Sequence, residues 1–257
     1  MRNELAITLP AETARRPRKS ARRAAHRRGY LLQIAAALAA VLIAAAVWNL
    51  QAWRAAPAAY QAVEIIYQNP ELPNGCEVTS IAMVLASAGS PADKLTLYRD
   101  FLPKSDFSQI DGRCYGPNPE KWYVGDAADL KGGWYCFEGP AVQAANGWLE
   151  EQKSTLRARA VTGLDRAGLD RYARDGVPLA VWVTLGYAEP RYSEFIWTLE
   201  DGTAYQPYSN LHCVVLAGVR DDGQYIIADP INGFTTVDKD AFWSSFSAMG
   251  CRAVAVE

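Results

Sequence analysis

Apolar and polar positions change pattern three times along the chain. From Gly29 to Trp53 no residue is charged, and Tyr30–Trp48 is apolar apart from Gln33. Nineteen helical residues rise about 28 Å, close to the thickness of a bilayer's hydrocarbon layer. A core helix would keep a polar stripe, whereas this run is apolar all round, which predicts a transmembrane helix over 31–50. A linker follows at 51–62, then a short strand at Val63–Tyr67. After Cys76, the positions Val78, Ile81, Ala82, Leu85 and Ala88 keep helical spacing until Gly89 stops it. Further helices are predicted at Ala92–Phe101, at Ala141–Lys153 behind Pro140, and at Leu164–Arg174 before Gly176. Residues 103–139 show no period and are rich in Gly, Pro, Trp and Tyr. The last third reads as strands at Pro178–Leu185, Leu211–Val219 and Gln224–Ala228, the last two joined across Asp222-Gly223, a hairpin signal. A short helix near Lys239–Phe246 and a strand at Cys251–Val256 close the chain. Helices first, then an antiparallel sheet, predict an α+β domain over 63–257.

Charge adds a direction to this layout. Net charge is −2 over 257 residues, but residues 1–30 hold nine Lys/Arg against Glu4 and Glu12, and the rest holds seventeen basic against twenty-six acidic residues. A basic run from Arg15 to Arg28 precedes the apolar segment, and only Arg54 follows it before Lys94. That bias predicts a basic cytoplasmic tail at 1–30 and a body outside the cytoplasm, held to the cell membrane by a single-pass anchor. A cleaved signal peptide competes, given the small residues at Ala44–Ala46 and Ala55–Ala59. The long tail and long apolar run favour the uncleaved anchor. An acidic body argues against nucleic acid as a partner.

Five cysteines, Cys76, Cys114, Cys136, Cys213 and Cys251, show no CxxC pair, and the body has one histidine, so no metal or other cofactor is expected. An odd count in an oxidising compartment suggests pairs plus one free thiol. With Cys76 free, Cys114–Cys136 is the first expected bridge and Cys213–Cys251 the second.

His212 is the only base available to His-assisted nucleophilic chemistry in the body. Cys76 stands where a helix begins, after a Pro73-Asn74-Gly75 turn, and a helix N-terminus favours the thiolate. Asp229 shares a sheet face with His212 if the hairpin loop is even in length; an odd loop or a bulge breaks that geometry. The order Cys, His, Asp, with 136 positions from Cys76 to His212, matches papain-type separation.

The stretch from Tyr67 through Cys76 to Leu85 resembles the cysteine motif of papain-like peptidases related to the double-glycine leader peptidases that process bacteriocins. His212 to Gly218, followed by Ala228-Asp229-Pro230, resembles the same family's His and Asp motifs, and Val124–Asp126 and Gly133–Pro140 are similar to segments between them. The resemblance implies a papain-like fold, a Cys76–His212–Asp229 triad, and an upstream glutamine at the oxyanion hole. Gln68 is the candidate, eight positions before Cys76 where papain-type spacing is six, with Asn74 as the fallback donor. Glu77 stands where glycine is common and would disfavour a thiolate if it pointed inward. No transporter module accompanies the domain, so leader processing does not carry over.

The expected activity is hydrolysis of peptide amide bonds in a peptide or protein substrate through a thioester. A Cys-dependent acyl transferase or transpeptidase, and an inactive peptide-binding relic, are the alternatives. The aromatic stretch 107–137 reads either as a wall of the substrate groove or as a structural loop.

Overall fold

In the computed structural model, residues 63–257 are described, together with positions 33, 37 and 39–41, which are helical. The expected tail at 1–30, linker at 51–62 and most of the anchor at 31–50 lie outside the described residues. Among the described residues no helix is long and apolar enough to cross a membrane. The chain divides into two units, 1–50 and 51–257.

Six strands organise the second unit: β1 (Ala158–Ala160), β2 (Leu179–Thr184), β3 (Leu211–Val219), β4 (Tyr225–Asp229), β5 (Gly233–Val237) and β6 (Ala253–Val256). They pair in the order β5-β4-β3-β2-β6-β1, antiparallel throughout. β2 is buried at every position because helices cover both faces of the sheet, so its sequence is an unbroken apolar run up to Thr184. One face carries α1 (Cys76–Ser87) and α2 (Glu138–Glu151), which pack Ile81, Leu85 and Ala145 against Trp182, Cys213 and Val215. The other carries α3 (Arg166–Asp175) and α4 (Lys239–Ala248), which pack Leu169, Phe242 and Phe246 against Val181, Val214 and Ile227. The result is the expected mixed helix-and-sheet domain, with helices on both sides of one sheet.

Local signals explain the helix ends. The Asp165 carboxylate accepts from Gly168 N–H at 2.7 Å, and Gly176 closes α3 at φ 71°, a conformation glycine adopts without strain. Asp238 caps α4 through the N–H groups of Asp240 and Ala241. α1 differs, since Gly75 at its N-cap supplies no side chain. It is buried at every position from Cys76 to Leu85, within the core that also holds Tyr98, Tyr123 and Tyr135.

Several expectations fail. Val63–Tyr67 forms no strand; its chain runs unpaired until Gln68 N–H donates to Pro230 O at 2.9 Å. The helix expected at Ala92–Phe101 is present from Lys94, capped by Asp93, but it widens after Thr96 into a π-helical turn at Leu97–Phe101. β1 and β5 were not legible, being short and, in β5, mixed in character. The aperiodic stretch supplies part of a separate four-stranded sheet, Ser108–Ile110, Arg113–Tyr115, Trp197–Thr198 and Ala204–Tyr205, built round the buried Trp197.

All five cysteines are free thiols, so neither expected bridge exists. Cys114 belongs to the outer sheet and packs beside Trp197, whereas Cys136 is fully buried in the core under α1. Cys213 faces α1 while Cys251 packs on the opposite core, so the sheet itself separates them.

Candidate active site

His212 and Asp229 are brought together by the β3–β4 hairpin. His212 Nε2 lies 2.9 Å from Asp229 Oδ1, and both side chains are buried. The route is not the simple one. The hairpin loop, Arg220 to Gln224, is odd in length, and the first pairs are Tyr225 with Val219 and Ile226 with Gly218. That register alone would point Asp229 to the face opposite His212. The register then shifts, so that Ile227 pairs with Leu216 and Ala228 with Val215, leaving Ala217 as the extra residue of a bulge. The bulge restores the parity that the loop broke.

Asp229 is held on every side. Its Oδ1 also accepts from Ile231 N–H at 2.8 Å, and its Oδ2 from Asn232 Nδ2 at 2.9 Å. Burial by itself would raise this carboxyl, but the His212 hydrogen bond and charge, with the Ile231 and Asn232 donors, outweigh it and hold the pKa below the ordinary range. Asn232 was missed from the sequence; the signal was the Asp-Pro turn, where an Asp side chain caps the backbone two residues on. With Nε2–H donated to the ionised Asp229, Nδ1 of His212 carries the lone pair.

Cys76 begins α1, and its Sγ hydrogen bonds to Glu77 Oε2 at 3.4 Å. Among the described residues no hydrogen bond joins Sγ to the imidazole. The thiol is pushed up by burial first, then by the Glu77 and Cys213 side chains, while the backbone N–H of Cys213 works in the opposite sense. Sγ thus stands beside the residue that follows His212 in β3. Glu77 does point inward: it is fully buried, its Oε1 accepts from Cys136 N–H at 3.2 Å, and burial raises its pKa to about 7.

Gln68 is buried and donates from Nε2 to Pro73 O at 2.6 Å, while its Oε1 is buried without a partner. The second hydrogen on Nε2 remains for another acceptor. Asn74 is committed elsewhere: Nδ2 donates to Asp129 O at 2.7 Å, and its N–H donates to Ala127 O at 3.1 Å. Asn74 therefore anchors the 126–133 loop beside the start of α1, and like Gln68 it keeps one amide hydrogen for another acceptor.

Three known proteins are similar to the chain. The uncharacterized protein YvpB of Bacillus subtilis (strain 168) is 29% identical over 192 residues, covering 73% of this chain and 71% of its own length. A Bacillus anthracis protein solved as a candidate C39-like peptidase is 29% identical with a TM-score of 0.65, over 76% of this chain and 94% of that one. A double glycine motif protease from an AMS/PCAT transporter, solved in complex with the leader peptide, is more remote at 15% identity and TM-score 0.39, over 76% of this chain and 90% of that one. The model of the Peptidase_C39 like family matches residues 60–254, which takes in the cysteine helix, the His–Asp hairpin and the sheet as far as the first residues of β6. The chain belongs to the Peptidase_C39 like family.

Proposed function

We propose that the chain is a membrane-anchored cysteine peptidase whose body lies outside the cytoplasm and hydrolyses peptide amide bonds with Cys76, His212 and Asp229. The observation that carries this reading is the buried His212–Asp229 pair, which leaves Nδ1 of the imidazole without the carboxylate and free to act as a base. His212 Nδ1 takes the thiol proton, and the Cys76 thiolate attacks the substrate carbonyl. Asp229 fixes the tautomer and stays ionised. The Cys76 N–H, uncapped at the helix start, and the second Nε2 hydrogen of Gln68 stabilise the oxyanion. The imidazolium protonates the leaving amine, and water, deprotonated by the same nitrogen, releases the thioester.

A second reading, an inactive peptide-binding relic, is favoured by the Sγ hydrogen bond that ends on Glu77. A thiol-reactive peptide electrophile separates the two. Selective labelling of Cys76, lost in His212→Ala, together with hydrolysis abolished by Cys76→Ala, is expected of the peptidase. An unlabelled Cys76 with no Cys76-dependent hydrolysis leaves the relic. The topology is tested by a reporter fused after Glu257, which should fold only in an oxidising compartment; cytoplasmic activity would reject the orientation.

A further inference from the structure

Glu77 is a carboxyl group in a place that ordinarily excludes one. It has no exposed surface, and the groups facing it are the Cys76 thiol on its own helix, the Cys136 N–H and thiol beneath α1, the Cys213 thiol on β3 and the Tyr123 phenol. Among the described residues no Lys, Arg or His forms an ion pair with it. A buried charge without a countercharge is expensive, and the group responds by keeping its proton to higher pH. The α1 N-terminus and the Cys136 N–H offset only part of that cost.

We propose, resting on the peptidase reading, that Glu77 is the positioning residue that sets the protonation of Cys76. Ionised, its Oε2 accepts the S–H and holds the nucleophile as a thiol. Neutral, its carboxylic O–H donates to Sγ in place of the S–H, so the thiol proton passes to Nδ1 of His212 and the thiolate is stabilised by a hydrogen bond. The oxygen involved is 3.4 Å from the reacting sulfur, close enough for either polarity of that bond. Burial favours the neutral carboxyl up to about pH 7, so the enzyme is competent on the acid side of neutrality and is switched off as pH rises through that value.

The test follows alkylation of each cysteine by iodoacetamide in the full chain, read by mass spectrometry of its peptides across the pH range. Wild-type Cys76 should react as a thiolate in mild acid and lose reactivity above neutrality, against the rising trend of an ordinary thiol. Glu77→Gln, which keeps an acceptor for Cys136 N–H and offers a permanent donor to Sγ, should match wild type in mild acid. One pH unit above the Glu77 midpoint it should react about tenfold faster. A structural role would leave the profile where it was, so identical profiles for wild type and Glu77→Gln overturn the proposal. In the wild-type chain, the Glu77 carboxyl carbon followed by NMR should titrate at the same midpoint as Cys76 reactivity. A midpoint in the ordinary carboxylate range overturns the proposal even if the variant does not fold. Alkylation needs no substrate, so hydrolysis that is independent of Cys76 would reject the peptidase reading without touching this measurement.

Discussion

Replacing Glu77 by glutamine should make the protein more stable at alkaline pH and leave it nearly unchanged in acid. Burial raises the carboxyl to about 7 in the folded chain, against 4.5 for an ordinary glutamate. A difference of roughly 2.5 pH units corresponds to about 3 kcal/mol of differential stability. The folded value is the raised one, so the folded chain binds the extra proton and its favourable contribution is complete below pH 4.5. That contribution drains away as pH rises through about 7, where the folded state must accept a buried carboxylate without a countercharge. Glutamine occupies the same volume, accepts the same Cys136 N–H and never ionises, so the variant escapes the penalty. Urea unfolding of both full-length proteins across this range supplies the difference in unfolding free energy at each pH, with other titrations cancelling in the subtraction. The difference should be small below about pH 4.5, grow between there and about pH 7, and approach about 3 kcal/mol in favour of the variant above neutrality. A difference that stays flat with pH would show that Glu77 is not a desolvated carboxyl, and would remove the physical basis of its coupling to Cys76.

Other outcomes follow from the same geometry. Asp229→Asn should lower turnover while leaving a residue of activity, since Asp229 orients the imidazole and does not accept its proton; activity equal to wild type would remove it from the site. Because the Asp229 pKa is lowered by folding, its stabilising contribution is present above the ordinary carboxylate range and lost as pH falls through the folded value, so the stability deficit of Asp229→Asn should shrink in acid denaturation series. Gln68→Ala should cost on the order of 10²–10³ in kcat with little change in KM, the loss expected for one oxyanion donor; an unchanged kcat would leave Gln68 only its Pro73 contact. Trp182→Phe removes the Nε1 donor to Cys136 O, 2.8 Å away in the core, and should destabilise by about 1–3 kcal/mol for the orphaned carbonyl. Thermal unfolding checks it.

Much of the fold was legible because it is written in local periodicity. β3 runs over the residues expected of it, and α3 ends at Gly176 because only a left-handed residue closes that turn. Candidates for nucleophile and base could also be named, since a body with one histidine leaves no other imidazole to choose. Where periodicity was absent, in the stretch 103–139, short strands paired with partners some eighty positions away, as Tyr115 does with Thr198. No window of sequence records such a pairing.

By itself, then, the sequence determined the element types in the body, the candidates for nucleophile, base and orienting carboxylate, and the inward threat of Glu77. Tertiary structure decided how they meet. An odd loop would have put His212 and Asp229 on opposite faces of the sheet, and the bulge at Ala217 puts them on one. Disulfide expectations drawn from counting failed because the sheet and its packing hold Cys213 from Cys251 and Cys114 from Cys136. Glu77 became a buried carboxyl because residues distant in the chain, Tyr123, Cys136 and Cys213, close round the start of α1. Register parity and desolvation are both properties of neighbours distant in the chain, and a residue's own identity specifies neither.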